Sequence, residues 1–140
     1  MSTTKKTSIL ENKFSNFMFV YSPPVLWALL IFIFSSQQLL PSVEFSALDF
    51  VLKKTAHIFV YAVLYLLLFR TVNKSLTRQR ASKLKNNSRL LYLPILICLV
   101  YAVSDEIHQY FVPGRFATLR DVGFDMLGVG IAFLKKYKYI

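Results

Sequence analysis

At 140 residues the chain has room for one domain. With 55% hydrophobic and only 17% charged residues, it is too poor in polar residues to cover a water-soluble core, and its apolar residues fall in long runs that suit a bilayer. The net charge of +10 lies between and outside those runs, which excludes a basic nucleic-acid-binding face and fits a membrane protein facing anionic lipid.

In chain order, the first predicted span runs from Ser22 to about Leu39. Ser22, Pro23 and Pro24 read as a helix start, a capping hydroxyl followed by prolines whose missing N–H groups cost little in the first turn. About eighteen residues at 1.5 Å each cover roughly 27 Å, the hydrocarbon thickness of a bilayer. Phe17 to Tyr21 read as an interfacial aromatic belt. Lys5, Lys6 and Lys13 precede the span as in a signal peptide, but the apolar run is long and lacks a small-residue cleavage site, so a retained helix is expected.

The second span is predicted over about 50–69, the third over 90–111 and the fourth over 121–137. Cys98 lies within the third; as the single cysteine it forms no intrachain disulfide and reads as a small apolar residue. Gly123, Gly128 and Gly130 weaken the fourth as an independent span, so it is expected to pack closely on the others, with Gly128 and Ala132 at small-xxx-small spacing. The expected fold is therefore all-α: one membrane-embedded domain over 1–140, a bundle of four transmembrane helices. Whether those small residues also serve homo-oligomerisation stays open.

Orientation follows from the cations. The connection 70–89 carries Arg70, Lys74, Arg78, Arg80, Lys83, Lys85 and Arg89 without an acidic residue, and Lys135, Lys136 and Lys138 end the chain. The positive-inside rule then places this loop and both termini in the cytoplasm. Polar residues gather at the opposite, outer ends: Ser35, Ser36, Gln37 and Gln38 on the first span, and Lys53, Lys54 and His57 on the second. The third ends in Asp105, Glu106, His108 and Gln109; Pro113-Gly114-Arg115 then turns the chain towards Arg120, Asp121 and Asp125.

Ionisable residues in a span cost about 2.5–3.5 kcal/mol each at a helix centre and less near its ends. Asp105 and Glu106 lie roughly two turns inside the outer end of their span, so pairing with Lys53, Lys54, Arg115 or Arg120 is expected. Spacing puts Asp105, His108 and Gln109 on one helical face, Lys53, Lys54 and His57 on another, and Asp121 with Asp125 on a third. Opposed across a small bundle, these faces make a mixed-charge pocket open to the outer leaflet.

The stretches KKTAHIFVYAVLYLLLF and YAVSDEIHQYFVPGRFATLRDVGFDMLGVGIAF resemble the VanZ-like family of bacterial membrane proteins. The matching positions are Lys54 and His57; Asp105, Glu106 and Gln109; Pro113, Gly114 and Arg115; and Asp121, Asp125 and Gly128, with Phe34-Ser35-Ser36-Gln37 ending the first helix in the family's manner. The likeness covers most of the chain beyond the N-terminal tail and excludes the basic loop. Many members carry a glutamate where this chain has Val60. The family takes its name from a protein associated with low-level resistance to teicoplanin, a lipoglycopeptide acting at the outer face of the membrane, so the resemblance implies work at that leaflet.

Two functional readings, from different classes, use the same residues. In the first, the pocket binds a lipid, a lipid-linked precursor or a lipoglycopeptide through Lys54, His57, Gln109, Arg115, Asp121 and Asp125. In the second, a membrane-embedded enzyme acts on a lipid or phosphate headgroup, with Glu106 or Asp105 as general base, Arg115 and Lys54 as anion clamp, and His57 or His108 as proton shuttle. A metal bound by Asp105, His108, Asp121 and Asp125 is a weaker variant, since no standard spaced ligand signature is present, and no cofactor is identified. The bland alternative is a purely structural ion-pair network holding the helices in register. Membrane lipids are the expected partners, and nucleic acid is not.

Overall fold

A computed structural model of the chain describes residues 3–37, 47–79, 89–114 and 118–138, with side chains over 15–37, 51–75, 92–114 and 118–138. The described residues form four α-helices: α1 (Thr3–Ser35), α2 (Ala47–Gln79), α3 (Arg89–Tyr110) and α4 (Leu119–Lys136). The all-helical expectation is met. Among the described residues, two stretches are long and apolar enough to cross a membrane by length and composition, Ser15–Ser35 with mean hydropathy 2.1 and Val51–Ser75 with 1.7. The end of the first predicted span at 38–39 lies outside the described residues.

The first helix differs from its expected start. Pro23 and Pro24 do not begin it; α1 starts at Thr3 and runs through both. A proline inside a helix leaves the carbonyl four residues earlier without its N–H partner. For Pro24 that carbonyl belongs to Val20, and the Thr71 hydroxyl of α2 donates to it at 2.9 Å. A neighbouring helix thus repairs the broken ladder, as happens in membrane bundles. α3 likewise continues past a buried proline, Pro94.

The helices alternate in direction. Thr71 meets Val20, Tyr21 meets Ser75 at 2.7 Å, and the Trp27 indole donates to the Val60 carbonyl at 2.9 Å, so α1 and α2 run antiparallel. Tyr101 donates to the Ala28 carbonyl at 2.6 Å and Ser35 reaches Asp105, so α1 and α3 run parallel. Beyond the end of α3, Gly114 takes φ 79°, a left-handed conformation suited to glycine.

The closest crossing is between α2 and α4. A β-carbon on Gly128 would lie 2.0 Å from the Ile58 carbonyl oxygen, so only glycine allows this approach. Around it, Tyr61, Leu64 and Tyr65 of α2 pack with Cys98 and Ala102 of α3, Val129 and Ala132 of α4, and Ile31 of α1. At the end of this layer away from the polar residues, Phe69, Phe133 and Tyr137 make edge and tilted ring contacts, with the Lys136 ammonium 5.2 Å from the Phe69 ring centre.

Burial is inverted relative to a water-soluble bundle. Phe34, Phe59, Leu26 and Val100 are more than 60% exposed, whereas Asp125 is 0%, Asp105 3% and Glu106 7% exposed. An outward hydrocarbon surface over inward ionisable groups is the arrangement a bilayer favours.

Candidate functional site

Alternation brings the C-terminal ends of α1 and α3 together with the N-terminal ends of α2 and α4. The polar residues of all four helices meet there. On α3, Asp105 and Gln109 are one turn apart and both buried. Asp105 Oδ2 accepts from Ser35 Oγ at 2.8 Å and from Gln109 Nε2 at 2.9 Å, and the same amide reaches Ser35 Oγ at 3.3 Å. The buried carboxylate is therefore met by neutral donors, one from its own helix and one from α1.

His108 projects to the neighbouring part of α1. Its ring lies 4.4 Å from the Phe32 ring, and its Nε2 is 3.0 Å from Ser36 Oγ. The Ser36 hydroxyl spends its one proton on the Phe32 carbonyl at 2.7 Å, so it accepts from His108, which places the imidazole proton on Nε2.

Two pairs join α2 to α4. Lys54 Nζ lies 2.5 Å from Asp121 Oδ1, with side-chain exposures of 19% and 14%. The same ammonium is 5.6 Å from the centre of the Phe124 ring. One turn deeper, His57 Nδ1 donates to Asp125 Oδ1 at 3.0 Å. The Gly128–Ile58 crossing lies just beyond this pair, so the closeness of the backbones sets the reach of the side chains.

Glu106 links α3 to the start of α4. Its Oε2 accepts from the Thr118 backbone N–H at 3.0 Å. Thr118 is the extended residue that opens α4 and makes no side-chain cap bond. The carboxylate thus lies where the positive end of the α4 dipole favours an anion.

Each of these three buried carboxylates keeps one oxygen without a partner among the described residues: Asp105 Oδ1, Glu106 Oε1 and Asp125 Oδ2. The Tyr61 hydroxyl, one turn below His57, is in the same condition. Such atoms are costly to bury alone and are ready acceptors for further donors. The cluster offers hydrogen-bond acceptance at several points, beside the paired Lys54 and His57. Among the described residues, no three His, Cys, Asp or Glu side chains form a group able to hold a metal ion.

Of the residues expected to form a binding or catalytic site, Lys54, His57, Asp105, Glu106, Gln109, Asp121 and Asp125 lie at this end of the bundle. Arg115, expected as the anion clamp, lies outside the described residues, as does Gln38. Lys53 and Arg120 are exposed. Val60, in the place of the family's frequent glutamate, packs partly buried against the core. Sequence reasoning did not assign Ser35, Ser36 or the Thr118 amide as partners of the charged residues. The Phe34-Ser35-Ser36-Gln37 motif was the available signal for the two serines; a backbone amide leaves no such mark.

Fold and site together define a class: an all-helical membrane protein with an apolar surface and a buried polar cluster at one end of its bundle. The chain belongs to the VanZ/LLP1 family, whose model matches residues 6–135, nearly its whole length and including the basic connection. No curated protein and no solved structure matches it.

Proposed function

We propose that this VanZ/LLP1 protein crosses the bacterial inner membrane four times and binds a lipid, lipid-linked precursor or lipoglycopeptide at the outer leaflet through the polar cluster. Lengths support the four crossings: α3 has 22 residues and α4 has 18, or roughly 33 and 27 Å at 1.5 Å per residue. Among the described residues, the cations Arg70, Lys74, Lys135 and Lys136 lie at the helix ends away from the cluster, which supports a cytoplasmic position for that end. The family's association with teicoplanin points to the outer leaflet and to tolerance of that lipoglycopeptide as the phenotype.

The observation that carries the reading is the set of three buried carboxylates, each with one oxygen unpartnered among the described residues. They suit a headgroup rich in hydroxyl, amide or ammonium donors, which would complete bonds the protein leaves unmade. The same free oxygens of Asp105 and Glu106 support the alternative of an enzyme using one of them as general base on a lipid or phosphate headgroup.

Glu106→Gln, Asp105→Asn, His57→Ala and Arg115→Ala separate these readings from a purely structural role. Teicoplanin tolerance and membrane abundance are measured together; lost tolerance at wild-type abundance is expected. Tolerance that only tracks abundance would leave the cluster a structural device. Purified protein incubated with lipid-linked precursors should return them unchanged under the binding reading, and a modified lipid would establish the enzyme instead.

A further inference from the structure

The end of the bundle away from the polar cluster is cationic. On α2, Arg70 and Lys74 stand one turn apart and both are exposed. The Arg70 guanidinium and the Lys74 ammonium each lie 5.1 Å from the centre of the Phe19 ring of α1. One ring thus gathers both cations, which are no more than twice that distance apart. Residues 15–35 of α1 and 55–79 of α2 contain no Asp or Glu, and among the described residues neither cation forms an ion pair. Lys54, on the same helix at the cluster end, has Asp121 instead. Two like charges a turn apart repel each other, so an anion between them relieves a cost that the chain leaves standing.

The surface leading to this pair is hydrocarbon. At helical spacing, Phe59, Val63 and Leu66 share the α2 face of Arg70, and Leu26 and Leu30 share the α1 face of Phe19. Phe19, Leu26 and Phe59 are each more than 60% exposed. From Phe59 to Arg70 the helix rises roughly 16 Å, about one leaflet's share of a 30 Å hydrocarbon layer. With that apolar face in the hydrocarbon, the two cations stand at the depth of one leaflet's phosphates. A cavity of about 440 Å³ between α1, α2 and α3 lies on the other flank of the α1–α2 contact, and none of these residues lines it.

We propose that Arg70 and Lys74, gathered by Phe19, hold the headgroup phosphate of an anionic phospholipid whose acyl chains run along this exposed face of α1 and α2. Arg70 supplies a fork of donors for phosphate oxygens and Lys74 a compact positive charge. A zwitterionic phospholipid suits the pair less well, because its own cation already offsets its phosphate. Assignment to the cytoplasmic leaflet rests on the orientation proposed above; the binding itself does not.

The full chain is purified in detergent and offered phosphatidylglycerol and phosphatidylcholine of identical acyl composition at equal concentration, and retained lipid is read by native mass spectrometry. One phosphatidylglycerol per chain should be retained preferentially. Arg70→Gln and Lys74→Gln should each reduce that preference on the order of fivefold. Lys136→Gln, which removes a cation at the same end of the bundle beside Phe69, should leave it unchanged. Phe19→Leu keeps every charge and alters an exposed side chain, so the lower preference expected there reports the gathering of the cations and not charge alone.

A measurement on the unaltered chain guards against misfolding of these variants. Phosphatidylglycerol with a photoactivatable acyl chain should cross-link to residues 19–30 and 59–66. Free glycerol phosphate should displace the lipid no better than sodium chloride of the same ionic strength. Equal retention of the two lipids, an unchanged preference in Phe19→Leu, or a loss in Lys136→Gln as large as in Arg70→Gln would each overturn the proposal. So would cross-links confined to α3 or α4, or displacement by glycerol phosphate. All these substitutions leave the polar cluster intact, so their outcome is independent of teicoplanin tolerance.

Discussion

His57 and Asp125 show why single residues matter here. Asp125 is fully buried, one of its oxygens bonded to His57 and the other unpartnered among the described residues. Removing the histidine leaves an acid in the bundle interior without its donor, a change that costs about 3–5 kcal/mol for a buried pair. His57→Ala should therefore lower stability in detergent unfolding by an amount of that order. Asp125→Asn should cost less, because a neutral amide is easier to bury. The double variant should recover part of the loss; strict additivity would show that the two side chains do not interact. Lys54 and Asp121 are partly exposed, so their pair contributes less to stability and is the more available to an incoming headgroup.

Among elements, α1 and α4 each depend on α2 for a different reason. α1 carries two prolines and completes its hydrogen bonding at Val20 with the Thr71 hydroxyl. Thr71→Val should cost about 1 kcal/mol by leaving the Val20 carbonyl unpaired. Pro24→Ala restores an N–H to that carbonyl, so in its background the same Thr71→Val change should cost much less. An equal cost in both backgrounds would refute this account of the helix. α4 instead needs its glycine. Gly128→Ala sets a methyl 2.0 Å from the Ile58 carbonyl oxygen, and the helices must separate. We expect a loss of about 1–3 kcal/mol, together with reduced membrane abundance and weakened coupling between His57 and Asp125 in a double-variant cycle.

At the scale of the whole molecule, exposed hydrocarbon, buried carboxylates and cations at one end make a polarity that a membrane orients. A reporter fused within 80–88 should be active only in its cytoplasmic form, and one placed after Lys138 should give the same answer. An external signal from either would invert the proposed leaflets and move the polar cluster to the cytoplasmic side. The aromatic contacts of Phe69, Phe133 and Tyr137 and the cations over Phe19 lie at the end predicted to be cytoplasmic, where amphipathic rings and snorkelling side chains meet the headgroups.

The sequence by itself determined the helical class, the clustering of polar residues at one end, and the family, because hydrophobic run length, charge position and ordered motifs are local quantities written along the chain. Helical spacing identified the faces in part: Lys54 and His57 both turn to α4, Asp121 and Asp125 both turn to α2, and Asp105 bonds Gln109, whereas Lys53 is exposed and His108 meets Ser36 instead. Only the tertiary structure decided the pairings, since which face opposes which depends on how α2 and α4 cross. Thus Lys54 meets Asp121, and Asp105 is met by Ser35 and Gln109 rather than left to a cation. The prolines make the same point in α1: read locally they start a helix, and they lie inside one because Thr71, distant in sequence, supplies the donor that Pro24 lacks. The polar cluster at the ends of the helices was legible from the chain; its wiring, and the apolar cavity at the other end, required the packing of three and four helices at once.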